Sequence, residues 1–207
     1  MIQIKICGLC RPEDALLVNR ARADWAGFII NYPPSRRSLT PEQALEIRGQ
    51  LSPGVKAAGV FVDRPLEEVA ETAERLRLDA VQLHGSEDRE YIRALRGRLW
   101  CQVWKAFIVK SLDDVRKAAA CPADEILLDG GMGQGKPFDR TLILTVGRRF
   151  IIAGGLTPEN IDRAARINGV WMADVSSGVE TDGVKDGEKI KRAVSAAHSA
   201  GIHLGQT

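Results

Sequence analysis

Short apolar runs rich in Val and Ile recur along the chain, each followed by a stretch whose apolar positions fall at helical spacing. The runs cover 2–7 (IQIKIC), 25–30 (WAGFII), 55–62 (VKAAGVFV), 79–85 (DAVQLHG), 101–109 (CQVWKAFIV), 125–129 (EILLD), 149–155 (RFIIAGG) and 170–177 (VWMADVSS). They are near-continuously apolar rather than strictly alternating, which suits parallel strands covered on both sides. The segments between them carry helix-start signals. Pro12 with Glu13 and Asp14 opens one helix. Thr40, Pro41 and Glu42 open another, with Thr40 as N-cap, and Thr157–Pro158–Glu159 repeats that opening for a helix over 157–167. The last helix is expected from near Asp186 to about Ala200.

Eight strand-then-helix units without a long linker predict an α/β fold, a closed (β/α)8 or TIM barrel forming a single domain over 1–207. An open doubly wound sheet is the alternative, but it usually carries fewer units. A barrel directs attention to the C-terminal ends of its strands, where active sites lie. Those ends read Cys7–Gly8, the loop 31–39, Asp63, His84–Gly85, Lys105–Phe107, Asp129–Gly130, Gly154–Gly155 and Asp174–Gly178. Polar residues and glycines gather there.

Composition narrows the function. Hydrophobic residues make up 44% and charged residues 27%, enough for a full core, and the net charge of +2 is too small to suggest a nucleic-acid partner. The opening MIQIKICGLC lacks the pattern of a signal peptide, and no apolar run approaches the roughly 18 residues of a membrane helix. A cytoplasmic protein with reduced thiols is expected, and cysteines at 7, 10, 101 and 121 do not space as a disulfide framework. Cys7 and Cys10, three apart, leave four readings open: a redox pair, half a metal site, one reactive thiol, or packing.

The loops after strands seven and eight read AGGLTPEN and DVSSGVE, at the positions where many barrels bind phosphate. Gly154 and Gly155 permit close backbone approach, and Ser176 and Ser177 offer hydroxyl donors. As plain turn residues they would have no reason to coincide with both expected positions, so a small phosphorylated ligand is expected. GGMGQGKP (130–137) is neither a dinucleotide fingerprint nor a Walker loop, because its glycine spacing is wrong and Lys136 precedes Pro137.

Taken together, KICGLCRPEDA, GFII…PPSRRSLTPEQA, GVFVD, VQLHG, WKAF, LLDGGMGQGKPFD, IAGGLTPENI and ADVSSGVETDGVKD span nearly the whole chain. In this order they resemble the phosphoribosylanthranilate isomerases of tryptophan biosynthesis. The resemblance implies an Amadori rearrangement of N-(5-phosphoribosyl)anthranilate to 1-(2-carboxyphenylamino)-1-deoxyribulose 5-phosphate, without metal or organic cofactor. It also implies a monomer or homodimer with no nucleic-acid or membrane partner. Carried over by motif, Cys7 is the general base and Asp129 the general acid. An arginine of the S-x-R segment holds the anthranilate carboxylate; counting from Ser35 selects Arg37 over Arg36. The phosphate sits on the last two loops, with Gly154, Gly155, Ser176 and Ser177; Asp174, by its place at the mouth, is expected to reach the ribose hydroxyls or order the mouth, against the alternative of hydrogen bonding within its own loop.

Each assignment competes with a structural one. A buried cysteine ending a strand is usually packing, and as a base Cys7 needs neighbours that stabilise thiolate; Lys5, two residues back, shares its strand face. Asp129 could cap the next loop, and as an acid near neutral pH it needs desolvation or a nearby anion. Asp139 reads as the N-cap of helix six, His84 points to the mouth without assigned chemistry, and His198 and His203 read as surface residues without a carboxylate partner. Two positions depart from the family pattern: Cys10 stands where threonine is common, and Arg140 where tryptophan is usual. The main rival is the Amadori isomerase of histidine biosynthesis, or an enzyme accepting both substrates. That reaction typically uses two aspartates and a two-phosphate substrate, against the cysteine on strand one. A catalytically silent phosphate-binding barrel is the other alternative, disfavoured by Cys7, Asp129 and Arg37 occurring together. On this reading Cys7 is the reactive thiol and Cys10 a loop neighbour.

Overall fold

The computed structural model describes residues 1–130 and 146–200. The expectations for Asp139, His203 and most of the glycine-rich segment lie outside them.

Eight strands form the barrel: β1 (Gln3–Cys7), β2 (Trp25–Ile30), β4 (Lys56–Phe61), β5 (Ala80–Leu83), β6 (Gln102–Ile108), β7 (Glu125–Asp129), β8 (Phe150–Ala153) and β9 (Val170–Val175). All neighbours are parallel, and β1 pairs with both β2 and β9, which closes the sheet on itself. A two-residue strand β3 (Ser38–Leu39) extends β2 on its outer side. Outside the barrel, β10 (Glu180–Thr181) and β11 (Val184–Lys185) form an antiparallel hairpin.

The described helices are α1 (Pro12–Ala21), α2 (Pro41–Gly49), α3 (Leu66–Arg75), α4 (Arg89–Arg98), α5 (Leu112–Ala119), α6 (Ile161–Ala165) and α7 (Gly187–Ser199). Their starts follow ordinary capping chemistry. The Thr40 hydroxyl accepts from the Gln43 N–H and the Thr40 N–H donates to the Gln43 side-chain oxygen in return, a capping box, and Asp186 caps α7 through the N–H groups of Glu188 and Lys189. The helix expected from Thr157 starts later. Asn160 takes the Thr157 N–H and donates to the Gly155 carbonyl, so this side-chain turn replaces the first helical turn and α6 begins at Ile161.

The pleat sorts the side chains into two cores. Ile4, Ile6, Phe28, Val81 and Ile126 pack outward under the helices. Trp25, Ala58, Ala80, Trp104, Leu127, Ile151 and Met172 fill the interior, with the Trp25 and Trp104 rings 4.6 Å apart. Two large indoles among alanines plug the lower barrel, so the barrel is a packed core and only its upper end is available for chemistry. His198 is not an unpartnered surface residue: it crosses from α7 to place Nε2 2.9 Å from Asp24 Oδ2, which also accepts the Ile4 N–H. The two groups are distant in sequence and meet only because α7 packs back on the start of β1.

Candidate active site

The inward positions of β1 are Lys5 and Cys7, one above the other by the two-residue period of a strand. Cys7 pairs in register with Gly27 of β2, whose missing side chain is what makes room for both. A methyl group on Gly27 would stand 2.8 Å from Lys5 Cε, 2.9 Å from Cys7 Sγ and 3.1 Å from the Cys7 Cα. The ammonium stem and the thiol therefore lie against the same small patch of β2.

Lys5 is fully buried. Its Nζ donates to Gln82 Oε1 at 2.5 Å and to Asp174 Oδ2 at 2.9 Å, and its remaining polar neighbour is the Cys7 sulfur. Burial pulls its pKa down, but Asp174 and Cys7 outweigh this and hold the amine above its ordinary value, so it is a permanent cation. Burial pushes the Cys7 thiol up; Lys5 and Lys185 pull the other way, against Asp174, leaving a net rise. Asp174, 9% exposed, commits only one oxygen to Lys5; its Oδ1 is buried and has no hydrogen-bond partner among the described residues.

Gln82 passes the order on. Because its oxygen receives Lys5, its Nε2 is the end that faces His84 Nδ1 at 3.1 Å, and Nε2 can only donate. His84 Nδ1 is then the acceptor, and the ring's proton resides on Nε2. Burial depresses the His84 pKa against the attraction of Asp129, keeping the imidazole neutral. Asp129 ends β7 across the mouth and is half-buried; its backbone carbonyl accepts the Val109 N–H at 3.0 Å.

The two arginines separate by environment. The Arg37 side chain is 17% exposed and lies over Gly8, where a Cβ would collide with its Cδ. Gly8 has φ +77°, so its backbone conformation and this contact both call for glycine. Arg37 grips Glu180 with Nε on Oε1 and Nη2 on Oε2, each at 2.7 Å. Arg36, 60% exposed, reaches Glu180 Oε2 from outside at 2.7 Å. Lys185 Nζ closes the cage from within, 2.9 Å from Glu180 Oε1 and 3.0 Å from the Ser176 carbonyl. Burial works against a charged Glu180, yet Arg37 and Lys185 overcome it and take its pKa down to about 2.

Gly154 and Gly155 both adopt positive φ, 93° and 59°, as the loop turns from β8 towards α6. Ser177 starts a single 3-10 turn through Val179. The two loops touch directly, since a Cβ on Gly178 would overlap the Leu156 carbonyl oxygen. Ser176 spends its hydroxyl proton on the Cys7 carbonyl at 3.1 Å, tying this loop to β1, so among the two serines only Ser177 offers a hydroxyl outward. Cys10, half-buried, is a free thiol whose N–H donates to Asp14.

Gln82, Glu180 and Lys185 were not singled out in the sequence. Gln82 sits two residues before His84 and so shares its inward face. The hairpin carrying Glu180 and Lys185 was announced by Asp182–Gly183, both with positive φ (50° and 78°), the usual signal of a two-residue turn.

A closed parallel barrel with a thiol and a carboxylate at the C-terminal ends of two strands, and paired glycine and serine loops at the same end, has the makings of a phosphosugar isomerase. The family model described as N-(5'-phosphoribosyl)anthranilate (PRA) isomerase matches residues 4–196. The chain is similar to the N-(5'-phosphoribosyl)anthranilate isomerase of Clostridium kluyveri, 41% identical over 194 residues, covering 92% of this chain and 95% of the relative. It is similar in structure to the phosphoribosyl anthranilate isomerase of Thermotoga maritima, with a TM-score of 0.87, 38% identity and coverage of 96% and 100% of the two chains. A further solved structure, of a phosphoribosyl anthranilate isomerase with reduced 1-(o-carboxyphenylamino)-1-deoxyribulose 5-phosphate, gives a TM-score of 0.85 at 37% identity, with coverage of 96% and 100%. The chain belongs to the phosphoribosylanthranilate isomerase family.

Proposed function

We propose that this isomerase opens N-(5-phosphoribosyl)anthranilate and rearranges it to 1-(2-carboxyphenylamino)-1-deoxyribulose 5-phosphate, with Asp129 as general acid and Cys7 as general base. The observation that carries the reading is the ring of cations about one thiol: Lys5 and Lys185 act on Cys7, and Arg37 lies beside it over Gly8. The substrate has an anionic group at each end, a carboxylate and a phosphate, and reacts at the carbons between them.

Asp129 gives its proton to the ring oxygen as the C1–O bond breaks and the nitrogen lone pair forms the iminium. The Cys7 thiolate then takes the C2 proton, and the C–H electrons become the C1=C2 bond of an enolamine as the iminium electrons return to nitrogen. Tautomerisation to the C2 ketone completes the rearrangement. Lys5 is placed to stabilise the thiolate, offsetting part of the cost of burying it. The Oδ1 of Asp174, without a hydrogen-bond partner among the described residues, suits a ribose hydroxyl. Arg37 pairs with the anthranilate carboxylate, and the phosphate rests on the Gly154–Gly155 and Ser176–Ser177 loops. A reducing cytoplasm suits the free thiols.

Loss of substrate fluorescence, followed with the wild type, Cys7→Ser and Asp129→Asn, tests the assignment. Turnover by the wild type, with each variant slowed by about 10²–10⁴-fold, is the expected result. Full activity in Cys7→Ser removes the thiol from the mechanism.

A further inference from the structure

Glu180 lies 9% exposed at the rim of the mouth and is gripped by three cations, Arg36, Arg37 and Lys185. One carboxylate does not balance three cations, and two of them, Lys185 and Arg37, lie on the side of Cys7 and Gly8. The way Glu180 meets Arg37 is specific. It takes the side-on fork, Nε and one hydrogen of Nη2. The end-on fork, made of Nη1 and the other hydrogen of Nη2, has no partner among the described residues.

We infer that Glu180 is the positioning residue of the carboxylate pocket: it anchors Arg37 side-on so that the guanidinium presents its end-on fork to the substrate's carboxylate. This rests on the substrate proposed above. A guanidinium has five N–H donors in a rigid plane, so two carboxylates can be bound at once on different edges. Lys185 neutralises the inner oxygen of Glu180, and Arg36 braces its outer one, which leaves Arg37 its charge for the ligand. The stem of Arg37 is already confined by Gly8. Glu180 removes the remaining freedom at the head, an ordering cost the ligand would otherwise bear; for one such side chain that corresponds to roughly a tenfold change in affinity.

The test compares two ligands: reduced 1-(o-carboxyphenylamino)-1-deoxyribulose 5-phosphate and its phenylamino counterpart without the carboxylate. Fluorescence titration gives the ratio of their Kd values for the wild type, Arg37→Ala, Glu180→Gln, Glu180→Asp and the double variant Arg37→Ala/Glu180→Gln. A ratio cancels any shared loss from partial unfolding, so it reads the pocket even in a weakened variant. The wild type is expected to favour the carboxylated ligand, and Arg37→Ala to lose that preference. Glu180→Gln is expected to shrink it about tenfold, Glu180→Asp to shrink it through its shorter reach, and the double variant to match Arg37→Ala. An unchanged ratio in Glu180→Gln, or equal weakening for both ligands, overturns the positioning role. Tighter binding of the carboxylated ligand by Glu180→Gln also overturns it, since Glu180 would then be a competitor for Arg37. A preference that survives in Arg37→Ala refutes the proposed role of Arg37 itself, a separate failure from that of Glu180.

Discussion

Gly27→Ala is a small substitution with a calculable consequence. Gly27 lies within β2 at a negative φ, so alanine suits its backbone and the cost is one of space. The added methyl meets Lys5 Cε at 2.8 Å, Cys7 Sγ at 2.9 Å and the Cys7 Cα at 3.1 Å. The Lys5 stem is held at its far end by Gln82 and Asp174, and the Cα belongs to a paired strand, so neither yields freely. Overpacking of this kind costs about 1–3 kcal/mol of stability, and the easiest relief is rotation of the thiol. A displacement of the proposed base by about 1 Å lowers turnover by roughly 10²-fold. Gly59→Ala supplies the control: its methyl would meet Leu78 Cδ1 at 2.5 Å and Phe61 Cε2 at 2.8 Å, in the core under the helices and away from Cys7. Urea unfolding should show both variants destabilised, while the fluorescence assay at a temperature where both are folded should show a large loss only for Gly27→Ala. Wild-type kcat/KM in Gly27→Ala, or equal losses in the two variants, would refute the argument that this glycine exists to seat the thiol.

Other outcomes follow from the same geometry. Glu180 has a folded-state pKa of about 2 against an ordinary 4.5, so it stabilises the fold above pH 4.5 and that contribution is lost as pH falls from 4.5 towards 2. Its upper bound is about 3 kcal/mol, and urea midpoints across that window should fall less steeply for Glu180→Gln than for the wild type; parallel profiles contradict the cage. Lys5→Met removes the cation that opposes the burial of Cys7. The thiolate absorbance difference between that variant and its Cys7→Ser derivative should therefore appear at higher pH than in the wild type. Gly178→Ala forces apart, at the Leu156 carbonyl, the two loops proposed to hold the phosphate; KM should rise, and inorganic phosphate should become a weaker competitive inhibitor.

The barrel was legible because parallel strands covered on both sides leave apolar runs that need no long-range information. All eight runs became strands within two residues at either end. Boundaries failed where a side chain competed with the backbone, as with Asn160 at α6. The strand-end rule located Cys7, Asp129, Asp174 and the glycine and serine loops, because it depends only on where each run stops. It could not find the partners of those residues. Lys5 and Asp174 are 169 positions apart and Arg37 and Glu180 are 143 apart, and which charge meets which is decided by barrel closure and by a hairpin outside the barrel. Ser176 shows the limit at a single atom: its type and place suit a phosphate donor, yet its proton is spent on Cys7.

The seam where β1 meets β9 is also where the chain's two ends become one object. Lys5 bonds Asp174 across it, and Ser176 bonds Cys7 a step above. Without β9, Lys5 would keep Gln82 as an acceptor but lack the carboxylate that balances its charge in the interior. Only the last strand converts that liability into the interior pair of a finished barrel. The setting of the proposed base thus depends on closure of the cylinder: the carboxylate that pairs with its neighbour Lys5, and the serine that holds its carbonyl, both come from across this seam.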